Sequence, residues 1–418
     1  MSTRYAAVVG TLLLLATACS DPSAPGKTPQ EIKALPRALS PAEQGIITAA
    51  NSFGFRLLAR VNADTPAENI FMSPLSASMA LGMAMNGTAG ATQDEMRTTL
   101  GVGAMARPDV LAAYRDLIAM LRGLDARVDF RIANSIFYRN SFGPAIEPTF
   151  LSESKSFFDA TTAPLDFAAP SALATINGWA KTATNGKIEK VLDALSPELV
   201  MLLMNAIYFK GDWREAFDPK QTVQMPFRLE SGSTVQVPMM RRTDTMRVAA
   251  VDGRTLVDLG YGGDAFSMTV ILPREGETAQ ALVNSLNAAT WSTAIAAFAT
   301  SEVELSLPRF KMSWERTLNA PLQSMGMKLP FAAGQADFTR LSSSMGRELY
   351  ISFVKQNSFV DVNEVGTEAA AVTTIGIGVT SLPQRTMVRV DRPFVFALRE
   401  RLSGTILFVG KIMNPPAS

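Results

Sequence analysis

The sequence predicts a fold of the α+β class, and two segments support this prediction most directly. Residues 69–96 are predicted to begin as a short strand and to continue, after Ser73 and Pro74, as a helix that is apolar on all sides. A helix of this kind is typical of a buried element. Residues 201–213 predict a long strand that is apolar on both faces, which is typical of the centre of a covered sheet. The chain has 418 residues, 47% of them hydrophobic, and can therefore bury a large core around both elements.

The amino terminus, residues 1–18, is predicted to be an export signal. Arg4 precedes an apolar stretch that ends in four leucines, and small residues precede Cys19. The apolar stretch is shorter than the roughly 20 residues that cross a bilayer as a helix. Residues 16–19 resemble a bacterial lipobox, although Ala16 stands where leucine is commoner. We therefore expect an exported bacterial protein with a lipid attached to Cys19 and a membrane as its partner; the alternative is plain secretion to the extracellular space.

Residues 19–42 are predicted to be a flexible tether, because prolines recur among polar residues along this stretch. An amphipathic pattern begins at Ala42 and predicts a helix that extends to about Val61. The folded domain is accordingly expected to occupy residues 43–418.

The composition excludes several classes of function. The chain has no histidine and a single cysteine, Cys19, so histidine-based catalytic triads, imidazole metal ligands and internal disulfides are all excluded. A net charge of +1 without a run of basic residues gives no reason to expect nucleic acid as a partner. The acidic residues show no recognisable catalytic spacing, and a solvated surface explains them; examples are Asp258, Asp264, Glu302 and Glu304. We therefore expect no enzyme activity, no catalytic residue, no metal site and no cofactor.

Further elements are predicted from local patterns along the chain. Asn185 and Gly186 are expected to end the helix that begins near Ile176. One continuous helix is expected from about Thr278 to Phe298, and another from Leu318 to Met325. Strands are predicted at residues 133–138, 236–240, 255–259, 266–273 and 303–310.

Residues 360–383 fit two different structures. Thr367 and Glu368, followed by three alanines, favour the start of a helix, whereas the β-branched residues that follow favour a strand. In a strand, side chains would alternate between the two faces of the sheet. One face would then carry only small or uncharged side chains, so the segment could enter between two strands without burying a charge. That face holds Thr367, Ala369, Ala371, Thr373 and Ile375, and the other holds Glu368, Ala370, Val372 and Thr374. The composition alone also fits a flexible linker.

Three motifs resemble the hinge and carboxyl-terminal signature of the serpin family. They are Glu364-Val-Gly-Thr-Glu-Ala-Ala-Ala371, Arg392-Pro-Phe-Val-Phe396 and Phe408-Val-Gly-Lys-Ile-Met-Asn-Pro415. The resemblance runs from about Asn51 to Pro415 and so implies one domain. It also implies the serpin fold, which has about three β-sheets, with a central mixed sheet, about eight or nine surrounding helices and an exposed reactive-centre loop. The loop is expected at about residues 364–384.

The resemblance also assigns residues beneath and beside the central sheet. Ser73 and Ser76 match the serines of the family's shutter, and Asn205 matches its asparagine. Trp213 matches the tryptophan of the breach, where the loop first enters the sheet. The family's shutter histidine is replaced by Gln356. The amide of glutamine can donate and accept hydrogen bonds, so we expect Gln356 to bridge Asn205 and a shutter serine without the pH response of an imidazole.

As a serpin, the protein is expected to be a suicide inhibitor of serine proteases. The protease would form an acyl-enzyme with the exposed loop, which would then insert into the central sheet and distort the protease. Gly366 would supply the backbone freedom that the hinge needs. The hinge assigned in this way comprises Glu364, Gly366, Thr367, Glu368, Ala369, Ala370 and Ala371. The partner is a target serine protease, bound covalently, and the inhibitor is expected to be a monomer.

The family's usual spacing places the reactive bond fifteen residues into the loop, with Gly366 counted as the first. This gives the bond between Thr380 and Ser381. Thr380 offers neither a cation nor an aromatic ring to a protease pocket, so elastase-like or subtilisin-like targets are expected. A competing site for trypsin-like enzymes is Arg385. The alternative function is that of a non-inhibitory serpin acting as a carrier, chaperone or structural protein.

Overall fold

The computed structural model describes residues 30–367 and 385–416. The described part of the chain contains nine α-helices. They are α1 (Pro41–Asp64), α2 (Pro74–Asn86), α3 (Gly90–Leu100), α4 (Arg107–Leu121), α5 (Pro148–Phe158), α6 (Pro170–Ala183), α7 (Ala279–Ser285), α8 (Ala288–Ala296) and α9 (Asn319–Ser324). None of these helices is long and apolar enough to cross a membrane.

The same residues form fifteen strands. They are β1 (Ile70–Met72), β2 (Val128–Arg139), β3 (Ala160–Leu165), β4 (Met201–Asp212), β5 (Val223–Arg228), β6 (Thr234–Val251), β7 (Arg254–Tyr261), β8 (Phe266–Leu272), β9 (Ala299–Pro308), β10 (Phe310–Thr317), β11 (Lys355–Val362), β12 (Gly366–Thr367), β13 (Thr386–Arg389), β14 (Phe394–Glu400) and β15 (Ile406–Ile412).

The strands make two hydrogen-bonded sheets. A six-stranded sheet has the order β10-β11-β12-β4-β2-β3 and is mixed, because β2 and β3 run parallel while the other neighbours run antiparallel. A nine-stranded sheet has the order β1-β15-β14-β8-β7-β6-β9-β13, with β5 paired to β6. The two sheets pack face to face, where Phe266 of the larger sheet contacts the rings of Phe130 and Phe209 of the smaller one. This arrangement confirms the α+β class and the mixed sheet that the sequence predicts.

The expected number of about three sheets differs from the two observed among the described residues, and β6 is the reason. This strand has 18 residues, long enough to pair with β5 near its start, with β9 along most of its length and with β7 at its end. Through β6, strands that could otherwise form two separate sheets belong to one continuous hydrogen-bonded sheet.

The single helix expected from about Thr278 to Phe298 is wrong, because the chain leaves the helical conformation between α7 and α8. Leu286 is extended, and Asn287 then starts a new helix. The Oδ1 atom of Asn287 accepts hydrogen bonds from the backbone N–H groups of Ala289 and Thr290, both at 3.0 Å. An asparagine at this position satisfies N–H groups that have no partner within the helix, which favours a new start over continuation.

The predicted tether is also too long, since residues 30–42 pack against the domain. The backbone N–H of Ile32 donates to the carbonyl of Gly263 at 2.7 Å. Arg37 makes a two-point ion pair with the buried carboxylate of Glu43, at 2.8 and 2.6 Å. Glu43 in turn completes a capping box with Ser40, so α1 begins at Pro41. The contact of Ile32 with Gly263 joins residues distant in sequence, which proline content alone does not reveal.

Candidate functional site at the hinge and the sheet gap

The hinge lies at one end of the six-stranded sheet. Gly366 and Thr367 form β12 and sit between β11 and β4, with Gly366 opposite Asp212, and with Thr367 opposite Gly211 on one side and Val362 on the other. A side chain at Gly366 would collide with the carbonyl oxygen of Gly211. Only glycine therefore allows the chain to enter the sheet so closely at this point.

Thr367 points into the core, on the side that the alternating pattern predicts. Its hydroxyl is 2.7 Å from the hydroxyl of Tyr261, and both side chains are buried. Tyr261 stacks on Trp213 with the ring centres 4.4 Å apart. Burial raises the pKa of Tyr261, so its hydroxyl keeps its proton and can hydrogen-bond with Thr367 at any ordinary pH. The side chain of Thr367 is thus held in the sheet by a specific partner.

Trp213 lies beside the hinge, as the resemblance implies. Its backbone N–H donates to the carbonyl of Val365 at 2.7 Å, and its indole Nε1 donates to the carbonyl of Asn363 at 2.8 Å. These two hydrogen bonds from Trp213 hold residues 363–365 in place immediately before β12.

Glu364, two residues before Gly366, is held by contacts of both its side chain and its backbone. Its Oε1 atom accepts a hydrogen bond from the hydroxyl of Thr222 at 2.7 Å and lies 3.5 Å from a guanidinium nitrogen of Arg309. Its carbonyl accepts from the backbone N–H of Phe217 at 2.8 Å. The carboxylate is buried, so these partners replace the water that it loses.

Beyond Thr367, no described strand lies between β4 and β11, and the space between these two strands is called the gap. Among residues 30–367, β4 and β11 are not hydrogen-bonded to each other directly and are joined only through β12. A cavity of about 370 Å³ occupies this region, and α2 and the segment before β11 also line it. Facing strand edges offer N–H and C=O groups to any segment that enters between them.

The shutter serine Ser73 and Gln356 make a closed pair next to this cavity. Gln356 Oε1 accepts from the backbone N–H of Ser73 at 3.1 Å, and its Nε2 donates to the carbonyl of the same residue at 2.8 Å. The Ser73 hydroxyl donates to the carbonyl of Leu407 at 2.6 Å and accepts from the backbone N–H of Ser76 at 3.1 Å, which caps α2.

The expected bridge from Gln356 to Asn205 is not made in the described structure. Asn205 Nδ2 instead donates to Oδ1 of Asn134 at 2.7 Å, and Nδ2 of Asn134 donates to the carbonyl of Phe158 at 2.6 Å. The gap between β4 and β11 explains the difference, because Gln356 and Asn205 lie on its opposite sides.

Two residues of this site were not predicted from the sequence. Asn134 is a polar residue in the predicted strand 133–138. A buried amide in a strand needs a hydrogen-bond partner, so its presence there could have indicated a polar contact beneath the sheet. Tyr261 is the last residue of β7, two residues beyond the predicted strand 255–259, and carries no such signal. The remaining predicted site residues lie outside the described part of the chain: Cys19, Glu368, Ala369, Ala370, Ala371, Thr380 and Ser381. The described residues contain no cluster of His, Cys, Asp and Glu side chains that could hold a metal ion.

Comparison with known proteins identifies the family. A family model described as Serpin (serine protease inhibitor) matches residues 48–415. The chain is 33% identical to Serpin-Z7 of Hordeum vulgare over 383 residues, which cover 88% of this chain and 95% of that protein. It is 31% identical to leukocyte elastase inhibitor A of Mus musculus, covering 88% of this chain and 99% of that protein. Its structure is similar to that of human thyroxine-binding globulin in complex with thyroxine, with a TM-score of 0.81, 28% identity and coverage of 90% of this chain and 100% of that chain. The chain therefore belongs to the serpin family.

Proposed function

We propose that this serpin is a suicide inhibitor of serine proteases with elastase-like or subtilisin-like specificity. The observation that carries the proposal is the position of β12. Gly366 and Thr367 are already paired between β11 and β4, and a gap continues in the same direction beyond them. A loop that is anchored at one end in this way can extend into the gap once its other end is released.

The mechanism follows from the chain's own residues. A protease attacks the bond between Thr380 and Ser381 and becomes attached to Thr380 as an acyl-enzyme. Cleavage frees the loop, and residues that follow Thr367 pair with the open edges of β4 and β11. Each new backbone hydrogen bond adds about 1 kcal/mol of net stabilisation, so a strand with partners on both sides drives the acyl-enzyme away from its starting position. Insertion must finish before water releases the protease.

The specificity is inferred from Thr380 and its neighbours. The side chain is of medium size and carries no charge. It fits a small or permissive pocket and gives no salt bridge to a trypsin-like pocket. The similarity to a relative named leukocyte elastase inhibitor A supports the same class of target.

The test is a covalent complex that survives denaturation. The protein is mixed with pancreatic elastase and with subtilisin, and the products are separated on a denaturing gel; trypsin serves as the control. We expect a band of combined mass with the first two enzymes and a released carboxyl-terminal fragment that begins at Ser381. A fragment that begins at Thr386 would instead place the bond after Arg385, and cleavage without any complex would contradict inhibition.

A carrier is the second candidate, and the similarity to thyroxine-binding globulin favours it. A carrier of this kind would bind a small molecule and would be cleaved by the proteases without trapping them. The same gel therefore distinguishes the two functions.

The location is proposed to be the cell envelope, with the monomeric protein held by a lipid on Cys19. One acyl chain gives only weak membrane binding, whereas the several chains of a bacterial lipoprotein hold it firmly. Replacing the only cysteine by Cys19→Ser should move the protein from the membrane fraction to the soluble fraction or block its processing. Unchanged membrane retention would contradict the lipid anchor.

A further inference from the structure

Arg385 is the only basic residue close to the reactive-centre loop. In the sequence it is the only arginine or lysine between Lys355 and Arg389. A trypsin-like protease takes up the side chain before the bond that it cuts in a pocket with a carboxylate at its base. Within this segment, only the bond between Arg385 and Thr386 could serve such a protease. Access to this one bond therefore decides whether trypsin-like enzymes can attack the segment.

The Arg385 side chain is held by a carboxylate of β9. Its Nε donates a hydrogen bond to Oε1 of Glu302 at 2.7 Å. Each of the two side chains is 32% exposed, so most of the Arg385 side chain is covered by the protein. The guanidinium can enter a protease pocket only after it has left Glu302.

The chain enters the larger sheet directly after Arg385. Thr386 is the first residue of β13 and lies opposite Val303 of β9. The hydroxyl of Thr386 is 3.4 Å from that of Ser301, so the residues on both sides of the bond contact neighbouring residues of β9. Val388 is also paired with β9, and its side chain is buried. Cleavage after Arg385 therefore requires β13 to open locally.

The rate of such cleavage depends on how often the segment is open. Where opening and closing are fast, proteolysis follows the population of the open form. The pair between Arg385 and Glu302 exists only in the closed form, so it lowers that population. The pairing of β13 with β9 acts in the same direction.

We propose that Glu302 is a specificity-determining residue that withholds Arg385 from trypsin-like proteases. The inference deepens the proposed function and rests on it, because it concerns which proteases can attack the inhibitor. Specificity can come from obstructing the wrong partner as well as from fitting the right one. With Arg385 withheld, residues 369–384, none of which is charged, are left for proteases with small or permissive pockets.

The experiment follows trypsin cleavage of the bond between Arg385 and Thr386 in the full chain. Glu302→Gln removes the charge and keeps the size of the side chain. The matched control is Glu304→Gln, because Glu304 lies on the same face of β9 and pairs instead with Arg241 at 3.1 Å. Mass spectrometry quantifies the fragment that begins at Thr386. We expect its release to be about threefold faster from Glu302→Gln than from the parent and the control.

Salt provides a second measurement, which needs no change to the parent protein. Ions screen a partly exposed pair, so raising the salt concentration from about 0.05 to about 0.5 M should weaken the contact of Arg385 with Glu302. Release of the fragment from the parent should then approach the rate of Glu302→Gln. The ratio of the two rates cancels any effect of salt on trypsin itself.

Equal release from the parent and Glu302→Gln at low salt would refute the role of Glu302. Equal acceleration in Glu304→Gln would refute it as well, since the effect would then follow the charge of β9 and not the pair with Arg385. The midpoint of guanidinium unfolding verifies that all three proteins are folded. Each protein is also mixed with pancreatic elastase, because absence of a covalent complex refutes the proposed inhibition and leaves the trypsin result intact.

Discussion

The two ends of the gap in the six-stranded sheet differ in how completely their polar groups are paired. At the hinge, Thr367 has its hydroxyl partner in Tyr261 and backbone partners on both sides. Deeper in the gap, Asn205 and Gln356 belong to separate hydrogen-bonded pairs, and Oδ1 of Asn205 has no partner within the described residues. The polar groups at the hinge end already have their partners, whereas the Asn205 oxygen at the deeper end has none among the described residues.

On the proposed mechanism, this difference indicates where insertion would start and what it would gain. Gly366 and Thr367 are already paired with both neighbouring strands, so placing the start of the loop costs no further conformational entropy. Extension would therefore proceed from the hinge. The stabilisation that insertion would add lies deeper, where the backbone edges of β4 and β11 would gain hydrogen-bond partners. Changes at the hinge should therefore decide whether insertion occurs, and changes deeper in the gap should tune the stability of the two states.

The largest effect is expected from Thr367→Arg at the hinge. The variant would place a cation beside Tyr261 in the core, at a cost of several kcal/mol, so β12 should leave the sheet and insertion should become slower than release of the protease. The protein should then be cleaved as a substrate, with little complex on a denaturing gel.

The matched control is Glu368→Arg, which adds the same side chain on the face that alternation assigns away from the core. We expect this variant to keep forming the complex. Equal inhibition by both variants would mean that the two faces have been assigned wrongly or that insertion is not the mechanism.

The contrast between the two ends of the gap also shows what the sequence could predict. The position of the hinge could be predicted because Gly366 and its neighbours form a continuous motif. The small side chains of this motif are those that a segment entering a sheet requires. The pairing deeper in the gap could not, because Asn134 and Asn205 are 71 residues apart and meet only when β2 and β4 become neighbours. The docking of Ile32 on Gly263 was missed for the same reason. Local patterns predict elements, whereas these contacts depend on the assembled sheets.

A second prediction concerns pH and uses Gln356→His, which restores the family's usual residue. Ser73 offers one N–H and one carbonyl to this side chain, and only a neutral imidazole provides both an acceptor and a donor. Folding should therefore lower the pKa of the new imidazole below its ordinary value of about 6.5. The unfolded chain would bind the proton more readily, so the free energy of unfolding should fall as the pH drops below about 6.5 and level off at higher pH.

The measurement is guanidinium unfolding of the uncleaved variant between pH 5 and 8, with the parent protein as the control. The loss should approach about 1.4 kcal/mol for each pH unit below 6.5 until the folded form also takes up the proton. The parent protein contains no histidine and should lack this additional slope. Identical pH profiles would show that the imidazole does not occupy the position of the Gln356 amide.

The smallest effect is expected from Tyr261→Phe, which removes the hydroxyl that holds Thr367 and leaves the ring stacked on Trp213. Loss of one buried hydrogen bond should lower the free energy of unfolding by about 1 kcal/mol. A matched control is Tyr114→Phe, since the Tyr114 hydroxyl is also buried and bonds to Ser78 at 2.7 Å, away from the hinge. Both variants should lose similar stability, but only Tyr261→Phe should accelerate amide hydrogen exchange at Gly366 and Thr367. Equal exchange in the two variants would show that the backbone pairing of β12, and not the hydroxyl of Tyr261, keeps the hinge in the sheet.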